Sequence, residues 1–249
     1  MMFLMTVLSL ALCQTISQSS PIAPYSGIVY AYGQPVEPDT ARTPEQLYAD
    51  ATLLSQHLFN GPRYHIYDRT AETHQFFKTR ELIRGTLRYD GRMYGPFQMH
   101  YDTHFGQLVV RQPENGYLVR LDSSKIEHFT LGNDYFEKIT THPQLPNGIY
   151  QRIYNGDTPL LCLRKKQRIE KIVDMKVNAI FTNADAFFVY FEGNYHRIQS
   201  KKDLYRLFPS RKSELRALLR NSELSFKDDM ETGLLNVVRL LDLPKTASR

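Results

Sequence analysis

The sequence predicts an α+β fold built on an antiparallel β-meander, and three observations predict it. Between residues 83 and 198, short apolar or aromatic runs alternate with turn signals such as Asp90-Gly91, Asn155-Gly156-Asp157 and Glu192-Gly193-Asn194. The connections between these runs are too short to hold crossover helices, so neighbouring strands must run antiparallel. Helix-start signals lie on both sides of the region, one N-terminal helix before it and C-terminal helices over 200–243. The expected sheet has about ten short strands, and a sheet of that size tends to curl, so a curled sheet or barrel is one expected form.

Taken in chain order, residues 1–12, MMFLMTVLSLAL, carry no charge. The run is too short to cross a ~30 Å hydrocarbon core as a helix. It reads as the apolar part of a signal peptide spanning 1–13, with Ala11 and Cys13 at the −3 and −1 positions of a cut before Gln14. Leu10-Ala11-Leu12-Cys13 also has the outline of a lipid-attachment box, although Leu12 is bulky where a small residue belongs. Residues 14–42 are rich in Ser and Pro and read as a linker or extended arm, in which Gly27-Ile28-Val29-Tyr30 would add one strand.

A single domain is expected over 43–244. Thr43 caps its first helix, Pro44 suits the first helical position, and Gln46 completes a capping box. Leu47, Ala51, Leu54 and Leu58 form one stripe, and Asn60-Gly61-Pro62 stops the helix. The strand runs are Leu87–Tyr89, Met93–Tyr101, Leu108–Val110, Tyr117–Val119, Ile126–Leu131, Tyr135–Ile139, Ile149–Tyr154, Leu160–Leu163, Phe187–Phe191 and Tyr195–Ile198. Ser200 with Asp203 caps a short helix that ends at Pro209. Ser210 opens a second helix, which Asn221 closes; Ser225 and Asp228 open a third, which Pro244 ends. The tail 245–249 is expected to be mobile.

Composition fits a folded chain: 249 residues, 42% apolar, 23% charged and 12% aromatic exclude a disordered or collagen-like class. The net charge of +5 is unevenly placed. Residues 164–220 hold 14 Lys/Arg against 6 Asp/Glu, while the chain on either side is slightly acidic. The block is Arg164, Lys165, Lys166 and Arg168, then Lys201 and Lys202, then Arg211 and Lys212. Export argues against nucleic acid as its target and leaves lipid headgroups, lipopolysaccharide phosphates and acidic glycans. The plainer reading is a set of solvated hairpin and helix faces.

The one metal-like pattern is His100-Tyr101-Asp102-Thr103-His104. In an extended strand, His100, Asp102 and His104 share a face and would suit zinc or iron, giving a metal-assisted hydrolase as an alternative function. Against this, Asp102 through Gly106 also reads as a turn, which would scatter the three side chains. Removal of the signal leaves Cys162 as a lone thiol flanked by leucines, a small buried hydrophobe. There is no nucleophile elbow, phosphate-binding Gly loop, dinucleotide fingerprint or His-Glu-x-x-His, so no cofactor is expected.

Leu58-Phe59-Asn60-Gly61, Gly85–Gly91 with Tyr94, Tyr101-Asp102, and Gly148-Ile149-Tyr150 leading to Tyr154-Asn155-Gly156 resemble the turn and strand signatures of uncharacterised exported β-rich proteins of Bacteroidota. The resemblance covers most of 43–243. It implies export and a β-rich body, and it implies no catalytic residue. The expected function is therefore that of an exported, non-enzymatic protein of the periplasm or cell surface, acting by binding or as a structural part. Its partner would be another envelope protein or an anionic envelope component. No segment is long and apolar enough to be a transmembrane span.

Overall fold

The computed structural model describes residues 30–31, 34–35, 57–173, 176–220, 226 and 229–243. The expected signal, most of the arm, the capped start of the first helix, Asn221, Ser225, Asp228, Pro244 and the tail lie outside them. Residues 57–59 are helical, and Leu58 is buried in the core. Tyr30–Ala31 (β1) pairs with Gln34–Pro35 (β2) as a two-residue ladder.

Ten strands form one antiparallel sheet: β3 (Ile83–Tyr89), β4 (Arg92–Asp102), β5 (Gln107–Arg111), β6 (Leu118–Arg120), β7 (Ile126–Leu131), β8 (Asp134–Ile139), β9 (Gly148–Tyr154), β10 (Leu160–Leu163), β13 (Ala186–Phe191) and β14 (Asn194–Ile198). Their order is β14-β13-β10-β9-β8-β7-β3-β4-β5-β6, and the sheet is open, so the barrel form is excluded. β11 (Lys166–Val173) and β12 (Lys176–Asn183) make a separate two-stranded hairpin inserted between β10 and β13. Three helices follow: α1 (Lys201–Leu207), α2 (Lys212–Arg220) and α3 (Met230–Asp242).

Local chemistry explains the sheet. Asp90 and Gly91 both have positive φ, 51° and 76°, as a two-residue turn between β3 and β4 requires. Asn155-Gly156 differs from expectation: Gly156 is not in the left-handed region, and five residues join β9 to β10. The glycine there sits in a crowded spot, because a Cβ would meet the side-chain ends of Asp242 (2.1 Å) and Tyr154 (2.5 Å), which would have to move. Both sheet edges are blunted. Residues 62–64 cover β6 through Tyr64 N–H to the Leu118 carbonyl (2.7 Å) and Arg120 N–H to the Pro62 carbonyl (3.0 Å). The Gln144 side chain accepts the Tyr195 N–H of β14.

One face of β3–β9 buries an aromatic-rich core around Tyr94, Met99, Phe129 and Phe136. β10 and β13 are covered on both faces, which is why LLCL and AFFVYF read as unbroken apolar runs. Leu160, Cys162, Phe187 and Val189 meet the three helices, while Leu161, Leu163 and Phe188 meet Leu145 of the β8–β9 loop. Cys162 is fully buried, as expected of a small hydrophobe. The Asp203 carboxylate accepts the Ser200 and Gln199 N–H groups at the start of α1. A 3₁₀ turn at Pro209–Arg211 delays α2 to Lys212, and Asp229 is the cap of α3, accepting from Thr232 N–H at 3.0 Å. No helix among the described residues is long and apolar enough to cross a membrane.

Candidate functional site

The densest group of buried polar side chains lies where β4 ends and the β11–β12 hairpin leaves the sheet. Asp102 is the last residue of β4, and the chain turns over Thr103–Gly106. Its Oδ1 accepts the N–H of His104 (2.9 Å) and of Phe105 (3.1 Å), fixing the turn. Its Oδ2 accepts the Tyr64 hydroxyl at 2.6 Å, with the Gln75 amide at 3.4 Å. Burial first, then that hydrogen bond, pushes the Tyr64 phenol well above its usual range.

The metal pattern is therefore dispersed. His100 is stacked on Phe76 with ring centroids 4.0 Å apart, and burial, with His74 beside it, pulls its imidazole down to about 4. His104 turns outward, stacks on Tyr67, and contacts the Lys166 carbonyl through Nδ1 at 3.0 Å. Asp102 spends its oxygens on the turn and on Tyr64. Among the described residues, no three His, Cys, Asp or Glu side chains are placed to hold a metal ion. The turn reading of Asp102–Gly106 is the one the backbone adopts.

Two chain segments form the neck of the hairpin. Ala184 N–H donates to the Lys165 carbonyl at 2.8 Å, and Lys165 N–H to Asp185 Oδ1 at 2.9 Å. Arg164 is the hub beneath them. Its Nε donates to Gln151 (2.6 Å), Nη1 to Asp185 (2.7 Å) and Nη2 to Glu231 of α3 (2.7 Å). One guanidinium thus ties the sheet, the neck and the last helix, using a fork geometry that lysine lacks. Gln151 passes the network on to Asp134, which pairs with Lys78.

Lys166 completes the neck. Its ammonium donates to the carbonyls of His74 (2.8 Å) and Phe76 (2.7 Å). Burial holds its pKa below the usual lysine range, while Asp185 and Asp102 act in the opposite direction. A crevice of about 250 Å³ opens between Lys78, Arg164, Lys166 and Glu231. Each of these charged groups already has a partner, Lys166 in backbone carbonyls, Lys78 in Asp134 and Arg164 in Asp185 and Glu231, so chemically the crevice acts as a joint.

The expected cationic field shrinks for the same reason. Arg164 and Lys166 are spent in the neck, and Arg168 pairs with Asp68 and Glu170. Lys201 reaches the Leu219 carbonyl, and Arg211 bonds Glu214 and the Leu241 carbonyl. Lys165, Lys202 and Lys212 remain exposed.

Beyond the joint, the hairpin base is held to the 68–73 segment. Glu72 N–H donates to the Ala179 carbonyl (3.0 Å), and Thr73 exchanges hydrogen bonds with the Phe181 backbone. Ala71, Ala179 and Phe181 bury one another there. Beyond this clamp Ile172 is 79% exposed, and Ile169, paired with Ile180 between the clamped rows and on the opposite face, is 41% exposed. Tyr67 and Phe105 are also exposed, with ring centroids 5.1 Å apart. They join the hairpin through His104, which contacts both rings and lies 5.3 Å from Phe181. Four of the six exposed large apolar side chains among the described residues thus lie on or beside one hairpin.

Sequence reasoning missed this element because Lys166–Val173 reads as a charge run and residues 174–175 carry no turn glycine. The β-branched residues Ile169, Ile172, Val173, Val177, Ile180 and Thr182 were the signal that marks it as strand. Comparison with protein-family models, with curated proteins and with solved structures finds no match.

Proposed function

We propose that this is an exported, non-enzymatic protein of the cell envelope that acts by binding, with the β11–β12 hairpin as its contact element. One observation carries the proposal: the exposed apolar side chains Tyr67, Phe105, Ile169 and Ile172 lie on or beside a strand pair that stands outside the ten-stranded sheet. Clustered apolar exposure marks interaction surfaces, whereas single exposed apolar residues are ordinary. The saturated Arg164 joint supports the same reading, since it gives the hairpin a fixed root. Export rests on the uncharged apolar run of residues 1–12 followed by the small-residue cut site.

The test is site-specific photocrosslinking in native cells. Benzoylphenylalanine replaces Ile172 in one strain and Tyr117, an exposed residue beside β6, in a control strain. The proposal expects an adduct at position 172 and none at 117, on protein whose chain begins at Gln14. Absence of an adduct at 172, or equal adducts at both positions, removes the hairpin as contact element. Retention of Met1 on protein in the cytosol removes export.

A further inference from the structure

We infer that the paired helices α1 and α2 carry a second contact surface, a cationic face that binds a linear acidic polysaccharide. The choice of a glycan over a nucleic acid rests on the proposed exported role. Lys212, Arg216 and Arg220 recur at four-residue spacing along α2, so they form one stripe about 12 Å long. Lys202 and Arg206 are related in the same way on α1. All five are exposed. Two contacts set the helices side by side and antiparallel. The Lys201 ammonium reaches the Leu219 carbonyl at 3.4 Å, and the Arg216 guanidinium lies 5.5 Å from the centre of the Tyr205 ring. Arg216 thus brings the α2 stripe to Tyr205, and Lys202, three residues before Tyr205, shares its side of α1. Leu204, Leu215 and Leu219 turn the other way, into the core shared with β10 and β13.

Little cancels these charges. Among the described residues, Lys202, Lys212, Arg216 and Arg220 have no ion-pair partner, and Arg206 meets Asp203 only at 3.9 Å. Asp203 is held by the Ser200 and Gln199 N–H groups, and Glu214 by Arg211. Glu214 stands two residues from both Lys212 and Arg216, which puts it on the opposite side of α2. The chemistry of the face selects its partner. No exposed large apolar side chain among the described residues lies on α1 or α2, so the face has nothing to place in an acyl layer. Tyr205 is half-buried with Arg216 over its ring, so it offers no open platform on which a nucleobase stacks. What remains is guanidinium forks and ammonium groups about 6 Å apart along each helix. They match the carboxylate or sulfate groups repeated along an acidic glycan.

The test uses the full chain purified from its native cells, with its N-terminus read by mass spectrometry. The probe is heparin, a linear polysaccharide bearing sulfates and carboxylates, on a sensor surface; neutral dextran and a DNA duplex are the comparison surfaces. The expected result is binding to heparin, weakened by added salt and absent on dextran. Lys202→Glu with Arg216→Glu lowers heparin affinity at least about tenfold, the loss of one or more charge-assisted contacts. Arg84→Glu with Arg92→Glu, on exposed residues of β3 and β4, changes the net charge equally and leaves the affinity close to the parent value. Every substituted side chain is exposed, so each variant should keep the parent urea midpoint, which shows that folding is intact. Equal losses from the two variants, no affinity for heparin, or tighter binding to DNA than to heparin overturns the inference. Failure on heparin with a chain that begins at Gln14 leaves export and the hairpin contact standing. Retention of Met1 removes export itself and, with it, the glycan as partner.

Discussion

Arg164 links three parts of the architecture, because its three bonds reach the sheet, the neck and α3 at once. Removing one member of a buried ion pair strands the other, which costs more than the pair itself contributes. Arg164→Met is therefore expected to lower stability by about 3 kcal/mol, read as a fall in the urea midpoint. Asp185 and Glu231 are the carboxylates left behind, so Arg164→Met with Asp185→Asn should recover part of the loss. His100 makes a second prediction at this scale. Burial sets its folded pKa near 4, below the ~6.5 of an unfolded chain. Between those values the unfolded state binds more protons, so stability is complete above pH 6.5 and declines as pH falls toward 4, by about 3 kcal/mol in all. His74 is lowered by burial, Lys166 and Arg80, and acts in the same direction. His100→Phe should flatten the urea-midpoint profile across that window. A profile as steep as the parent's would show that the slope arises elsewhere.

Elements show which features can be read from sequence and which depend on long-range packing. Asp90-Gly91 was legible because a two-residue turn is a local event with a local residue preference. Gly85 was legible as a motif member and not as a requirement. Its place in β3 puts any Cβ 1.8 Å from the Thr130 carbonyl oxygen on β7, a contact 45 residues distant in sequence. Gly85→Ala is expected to cost about 1–3 kcal/mol and to broaden resonances of the β3–β7 pair, with calorimetry and spectra as the check. Gly156 also faces a residue distant in sequence, Asp242, but there the neighbour is the end of a side chain rather than backbone. The strands β10 and β13 were legible because burial on both faces leaves unbroken apolar runs. The hairpin was not, since its charges make sense only beside Asp68, His74 and Phe76, which periodicity does not reveal. For the same reason the i, i+2, i+4 pattern at His100–His104 misled: one turn residue past β4 is enough to send His104 away from His100.

At the scale of the whole molecule, the described residues form an open sheet with blunted edges and, outside it, the partly covered β11–β12 strand pair. Edge strands usually invite pairing, yet here residues 62–64 and Gln144 guard them, so the apolar surface available to a partner is displaced to the hairpin. Among the described residues, a hairpin with fewer buried contacts than the ten-stranded sheet should show the faster local opening. The most direct measurement is amide hydrogen exchange of the mature protein, alone and in the presence of envelope membranes from native cells. Peptides spanning residues 165–183 should slow their exchange on contact while the ten-stranded sheet is unchanged. Slowing confined to other segments, or none anywhere, would contradict the account at its centre.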